Sequence, residues 1–144
     1  MTPNQISREV ITAATKVHTA LGPGLLEKAY ERCLAYELSS AGLIVAQVPL
    51  PVVYKQVRLD FGYRLDLLIN DLVVVEIKAI DMLAPIHKAQ LLSYLRMSGK
   101  PLGLLINFNV VHLRDGIKRV VGNLSDLASS ASLASSALQA LVKD

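Results

Sequence analysis

The chain has a single cysteine, Cys33, in 144 residues. That excludes an internal disulfide framework and a cysteine-rich zinc site, and the setting of Cys33 among helical core positions predicts a buried structural thiol. Long apolar runs are also missing: none approaches the roughly 18 residues a membrane span needs. The polar start, M-T-P-N-Q-I-S-R-E, carries no signal-peptide core. These absences lead to the expectation of a cytoplasmic protein with no membrane partner. No internal repeat and no linker divides the chain, and its length suits one domain with a sizeable core. Net charge is only +3, but it is unevenly placed. Residues 1–47 carry four basic and four acidic side chains, whereas residues 84–119 carry Lys88, Arg96, Lys100, Arg114, Lys118 and Arg119 against Asp115 alone. On charge alone that is either a phosphate-facing surface or an ordinary solvated face.

The helical spacing of Val10, Ile11, Ala14, Val17 and Leu21 predicts a first helix over 7–21, broken at Gly22-Pro23-Gly24. A second helix is expected over 25–40, with Leu26, Ala29, Tyr30, Cys33, Leu34, Glu37 and Leu38 inward and Gly42 as its stop. Glu27 falls in the first turn of this helix, on one face with Tyr30. An acid there complements the helix dipole or serves a site. Residues 48–56 read as a strand that Pro49 and Pro51 make irregular or peripheral. Asp60-Phe61-Gly62 turns into a strand pair over 63–79. Pro85 opens a third helix over 85–97, with Ile86, Ala89, Leu91, Leu92 and Leu95 as its apolar stripe and His87, Gln90 and Tyr94 aligned on another face. Residues 102–108 read as a buried strand, 110–113 as a further short strand, Asp115-Gly116 as a turn, and 117–121 as a last short segment. The expected division is a domain over 1–122 and a Ser/Ala/Leu-rich tail over 123–144, either a docking helix or disordered. The class is α/β, with helices covering a mixed central sheet.

The stretch that organises the chain is Y-R-L-D-L-L-I-N-D-L-V-V-V-E-I-K-A, residues 63–79. Two apolar runs flank Asn70-Asp71, the pattern of a hairpin, and into them are set Asp66, Glu76 and Lys78. Charges inside a buried strand cost several kcal/mol unless they are paired or hold a metal. Glu76 and Lys78 are two apart and share a face. Two close carboxylates call for a proton or a cation between them, since at about 5 Å they repel by roughly 3 kcal/mol. Oxygen ligands without a His or Cys companion favour Mg²⁺ or Mn²⁺, completed by water and substrate phosphate. Lys78 beside them could neutralise developing charge or orient a water, chemistry that suits phosphodiester hydrolysis. The geometry has a condition. A simple two-residue turn at Asn70-Asp71 would set Leu65 opposite Glu76 and send the two acids to opposite faces. The sequence therefore predicts a three-residue loop, Asn70-Asp71-Leu72, or a bulge, so that Asp66 pairs with Glu76.

Asp66 followed by Glu76-Ile77-Lys78 resembles the D…ExK signature of the PD-(D/E)XK nuclease superfamily. Gly24-Leu25-Leu26-Glu27-Lys28-Ala29-Tyr30 resembles the motif of its GxxExxY group, Gln90 to Tyr94 its QxxxY helix, and Gly103 to Phe108 the strand that follows. The similarity spans about residues 5–115. It implies a restriction-endonuclease-like α-β-β-β-α-β core. It further implies Glu27, Asp66 and Glu76 as metal ligands with the Ile77 carbonyl, Lys78 as the residue that positions or activates water, and Gln90 and Tyr94 as residues lining the site. Leu65 stands where the family motif has proline. The expected partner is nucleic acid, DNA before RNA, with a homodimer or partner protein as a possible source of specificity. Two alternatives stay open: a non-catalytic nucleic-acid-binding or accessory protein that keeps the fold, and a structural ion-pair cluster of Glu76 with Lys78 or Arg64. His18 reads as a packing histidine near Glu27; His87 and His112 show no evident partners.

Overall fold

The structure, a computed structural model, describes residues 1–122. The expectations for the tail lie outside the described residues. Helix α1 (Pro3–Leu21) starts earlier than the apolar spacing predicts because Thr2 and Gln5 form a reciprocal cap, the Gln5 amide donating to Thr2 Oγ1 and the Thr2 amide to Gln5 Oε1. Helix α2 is Glu27–Ser40. The expected strand over 48–56 is two strands, β1 (Val45–Pro49) and β2 (Val52–Tyr54). The two prolines explain the split, since neither Pro49 nor Pro51 has an N–H to give to a ladder. Strand β3 (Val57–Leu59), not foreseen in the sequence, pairs with β2 alone to form a small two-stranded arm. Strands β4 (Arg64–Ile69) and β5 (Val73–Lys78) form the central hairpin; α3 (Pro85–Ser98), β6 (Leu102–Asn107) and β7 (Ile117–Val121) follow. The short strand expected over 110–113 does not form. The turn expected at Asp115-Gly116 lies within a 3₁₀ turn, Leu113–Gly116.

The main sheet runs β1-β4-β5-β6-β7 and is mixed: β5 and β6 are parallel, joined through α3, and the other neighbours are antiparallel. This is an α/β layout with helices on both faces, the restriction-endonuclease-like arrangement. The faces hold separate apolar clusters. Ile6, Val10 and Val17 of α1 and Tyr30, Leu34 and Leu38 of α2 pack on Leu67, Val75, Ile77, Leu104 and Ile106. On the other side Leu91, Tyr94 and Leu95 of α3 pack on Leu65, Leu68, Val74 and Leu105. The stripe expected for α3 is rotated: Ile86 is exposed and Tyr94 is buried instead. Leu21 and Leu26, expected inward, are exposed, and Cys33 is half-buried against the first cluster rather than buried. Gly103 lets α3 close on the sheet, since a Cβ there would stand 3.0 Å from Leu91. No helix among the described residues is long and apolar enough to cross a membrane.

The loop of the central hairpin sets its register. Asn70 and Asp71 both have positive φ (50° and 60°), and the Leu72 amide donates to Ile69 O at 3.0 Å. Pairing resumes only at Ile69↔Val73, so Leu72 is one residue too many and the loop counts three. Asn70 tolerates the left-handed region better than most residues, and it is clamped there. Its Oδ1 accepts from the Ile44 amide at 2.8 Å, and its own amide donates to Ile44 O at 2.8 Å. Asn70→Ala loses the side-chain bond and gains backbone strain. It is expected to destabilise the protein by about 1–3 kcal/mol, read as a lower urea midpoint at unchanged slope; an unchanged midpoint would deny the clamp.

Candidate active site at the end of the central hairpin

The register Leu67↔Val75 continues to Asp66 opposite Glu76, as the charge argument requires. Ladder pairing stops at Leu67, and the two side chains take its place. The Asp66 amide donates to Glu76 Oε1 at 3.1 Å, and the Ile77 amide donates to Asp66 Oδ2 at 3.0 Å. Each carboxylate thus commits one oxygen to the opposite strand's backbone and keeps one for another ligand.

A second device acts on the far side of β4. Its pairing with β1 slips between Ala46↔Leu68 and Val48↔Leu65, so Asp66 and Leu67 together oppose Gln47. That is a β-bulge in β4, and it breaks the strict alternation: Leu67 and Ile69 face the α1/α2 cluster, but Leu65 joins the α3 cluster. Of the two devices that the sequence offered as alternatives, the three-residue loop is the one that sets Asp66 opposite Glu76; the bulge lies in the β1–β4 pairing and leaves the hairpin register regular.

Glu76 is 5% exposed. Burial first, then the Asp66 charge, pushes its carboxyl up to about 8. The pair therefore holds a proton near neutral pH where no cation replaces it. Glu27 is the first residue of α2 and is exposed, yet its carboxyl is also raised, by partial desolvation and then by Asp66, with Lys78 opposing. Those influences put Glu27, Asp66 and Lys78 in one electrostatic neighbourhood. Among the described residues, however, no three His, Cys, Asp or Glu side chains form a group able to hold a metal. The hairpin brings Asp66 and Glu76 together, and Glu27 stands nearby without closing a triad.

Tyr30 explains how Glu27 is placed. Its fully buried ring stacks on Phe108, with centroids 4.6 Å apart and planes 7° apart. Its hydroxyl donates to Gly22 O at 2.6 Å and accepts from the Leu25 amide at 3.0 Å. The loop that carries the chain into Glu27 is thus tied to the core by one phenol. The Phe108 amide in turn donates to Lys78 O at 2.9 Å, so the same ring anchors the end of β5. Asn107, beside Lys78 in the parallel ladder and 1% exposed, secures the exit from β5: its Oδ1 accepts from the Ile80 amide and its Nδ2 donates to Ile80 O. On α3, Gln90 Nε2 donates to the Tyr94 hydroxyl at 3.1 Å. The Tyr94 phenol is raised by burial, then by Glu76, Tyr63 and Asp66, so it keeps its proton as a donor beside the carboxylates.

Sequence reasoning missed Glu31, one turn beyond Glu27 and 3% exposed. Its Oε1 accepts from Gln47 Nε2 and lies 3.8 Å from Arg64 Nη2, while Arg64 Nη1 donates to Gln47 Oε1 at 3.4 Å. This group ties α2 to β1 and to the start of β4, on either side of the bulge. The signal was its i+4 spacing from Glu27. Arg64 therefore pairs with Glu31, which removes it as the partner proposed for Glu76 in an ion-pair cluster. Two of the three histidines are structural: His18 Nε2 donates to Val110 O at 2.8 Å, and His87 has a partner after all, its Nδ1 accepting from the Ala84 amide to cap α3. The basic residues of 84–119 do not form one patch. Lys100 pairs with Asp71 at the hairpin loop, the opposite end of β5 from Lys78, and Arg119 bonds Asn4.

The raised carboxyl has a sign that can be checked. The folded protein keeps the Glu76 proton to about pH 8, whereas the unfolded chain releases it near 4.5. The stability this group contributes is complete below about 4.5, declines as pH rises to about 8, and is flat beyond. Glu76→Gln, which can still accept from Asp66 N and donate to Asp66, should remove that decline and raise stability at pH 8 by on the order of 4 kcal/mol. Urea unfolding in chelator at pH 5 and pH 8 reads the difference; parallel slopes in the two proteins would mean the proton is not on Glu76.

No curated protein and no solved structure gives a significant match to the chain. A family model does: the one described as PD-(D/E)XK nuclease superfamily matches residues 4–120, from α1 to the last strand of the sheet. With that match over most of its length, and with Asp66, Glu76 and Lys78 at the end of its central hairpin, the chain belongs to the PD-(D/E)XK nuclease superfamily.

Proposed function

We propose that this protein is a Mg²⁺-dependent nuclease, with Mn²⁺ as a substitute, that hydrolyses phosphodiester bonds of nucleic acid, DNA before RNA. The observation that carries the reading is the facing of Asp66 and Glu76, achieved by an extra loop residue and costly to the folded chain unless a cation is held there. Within the superfamily we assign the chain to the GxxExxY group on Gly24, Glu27 and Tyr30; the Tyr30 hydroxyl that secures the Gly22–Leu25 loop gives that motif a physical sense. DNA repair, recombination or defence in the cytoplasm, and a second copy or partner protein as a source of specificity, belong to the same proposal.

The donor set suits a hard divalent ion: each strand carboxylate keeps an oxygen uncommitted to backbone, and both belong to one pair that already needs a positive charge. Asp66 and Glu76 would hold the ion, joined by Glu27 from α2 and the Ile77 carbonyl. When bound, it would polarise the scissile phosphate and ease ionisation of a water. Lys78, on the same strand and in the field of Glu27, orients that water and stabilises negative charge as it develops. Tyr94 accepts from Gln90, so its own O–H stays available to donate to a phosphate oxygen or water.

Titration with Mg²⁺ or Mn²⁺ near pH 7 should release a proton from the carboxylate pair, so the heat will depend on the ionisation enthalpy of the buffer. Asp66→Ala should abolish both the binding and the proton release. With metal bound, Lys78→Ala should cut cleavage of a DNA substrate by roughly 10²-fold or more while metal affinity holds. Metal binding without cleavage of any nucleic acid, nucleic-acid binding being retained, would favour the accessory reading; equal metal binding by wild type and Asp66→Ala would remove the ligand assignment.

A further inference from the structure

The arm formed by β2 and β3 leaves most of its side chains exposed, with only Val52 and Leu59 half-buried. Only two strands pair there, and such a ribbon is marginal on its own. Its root is well held: the Leu50 amide donates to Tyr63 O at 2.8 Å, and Leu50 and Leu65 are buried in the α3-side cluster. Beyond the root, rings face solvent. Tyr54 is 63% exposed, Phe61 72% and Tyr63 45%, three of the seven Tyr and Phe residues of the whole chain within ten positions. Bases are interleaved with them: Lys55 lies 5.4 Å over the Tyr54 ring, and Arg58 projects from β3 with both itself and its partner Asp60 exposed. Tyr54 faces Val57 in the pair next to the turn yet stays exposed, and Phe61 and Tyr63 lie past the end of β3, outside the ribbon's cross-strand pairs. The arm is also continuous with the candidate centre. Tyr63 meets Tyr94 edge to face with centroids 6.5 Å apart, and the next residues are Arg64 and the Asp66 bulge.

Exposed rings interleaved with cations are the chemistry of a surface that stacks unpaired bases and neutralises the backbone between them. Duplex DNA shows its base faces to no such surface; a single strand or frayed end does. Resting on the nuclease reading above, we propose that the arm of residues 52–63 is the substrate-selecting element. Unpaired bases stack on Tyr63, Phe61 and Tyr54, Lys55 and Arg58 take phosphates, and the strand is led from the arm past Tyr94 to Asp66 and Glu76. The substrate class is nucleic acid with an unpaired stretch, not intact duplex.

The test uses the full chain in chelator, where nothing is cut, with labelled oligothymidylate and a blunt duplex of equal length. Wild type should prefer the single strand. Tyr63→Ala and Phe61→Ala should each weaken single-strand binding by roughly tenfold and leave duplex binding within about twofold, with Phe61→Trp restoring it. Lys55→Ala should shallow the salt dependence of binding by about one phosphate contact. Sedimentation of the same variants checks the assembly state. Equal preference for the two probes, unchanged affinity in the ring variants, or a loss of self-association with nucleic-acid binding intact would each overturn the assignment. Cleavage in Mg²⁺ separates the two ideas. Turnover that ignores the ring substitutions sinks the arm and keeps the nuclease; ring-dependent binding without turnover sinks the nuclease and keeps the arm. A wild type that binds neither probe ends both.

Discussion

The repulsion between two carboxylates on adjacent strands is the constraint around which the rest is arranged. At about 5 Å and an effective dielectric near 20 it amounts to roughly 3 kcal/mol, a sizeable share of the 5–15 kcal/mol that typically holds a domain folded. A fold under no functional demand would turn one acid to solvent, and a register shift of one residue would do it. Here Leu72 is inserted in the loop and keeps Asp66 opposite Glu76, while an extra residue bulges from β4 toward β1. The Asp66 and Ile77 amides, which would otherwise seek ladder partners, are satisfied by the carboxylates themselves. The backbone does not tolerate the pair by accident; its hydrogen bonding is completed by it.

Around that pair the molecule invests in position. Tyr30 holds the entry to α2 and stacks on Phe108, whose amide holds the carbonyl of Lys78. Glu31, Gln47 and Arg64 join α2 to the strands that flank the bulge. Asn107 secures the chain leaving β5. Tyr30, Phe108, Glu31 and Asn107 are buried, and their polar groups are hydrogen-bonded, the condition under which polar side chains specify one geometry. Glu27, by contrast, is exposed at the first residue of its helix.

Much of this was legible in the sequence where a charge violated an apolar pattern. Asp66, Glu76 and Lys78 stood out because strands of valine and leucine have no use for them, and the need to share a face was enough to predict the loop. Long helices were legible from their period, though α3 is rotated from the expected stripe because Tyr94 is drawn in beside the carboxylates. Residues whose role depends on contacts across the fold were not legible. Glu31 looks like any polar position on an amphipathic helix until β1 and β4 are placed against it. The β2–β3 arm was hidden because Pro49 and Pro51 were read as irregularity within one strand, when they mark the end of one strand and the approach to another. The clustering of basic residues in sequence did not survive folding, since β6 and β7 separate Lys100 from Arg114 along the sheet.

Strand β5 is buried over its whole length except at Lys78 and reads V-V-V-E-I-K. Its antiparallel neighbour β4 is supplied by a short hairpin, but its parallel neighbour β6 begins 24 positions beyond Lys78, after α3 has been traversed. While the chain is being made, one edge of this largely apolar strand therefore waits, unpaired, for residues that have not yet been joined. Such a segment is the usual starting point for intermolecular strand addition. Glu76 and Lys78 interrupt it with opposite charges, in the manner of the gatekeeper residues that flank unavoidable apolar strands. The charges at the centre of the candidate site thus guard the nascent chain before there is any site for them to form.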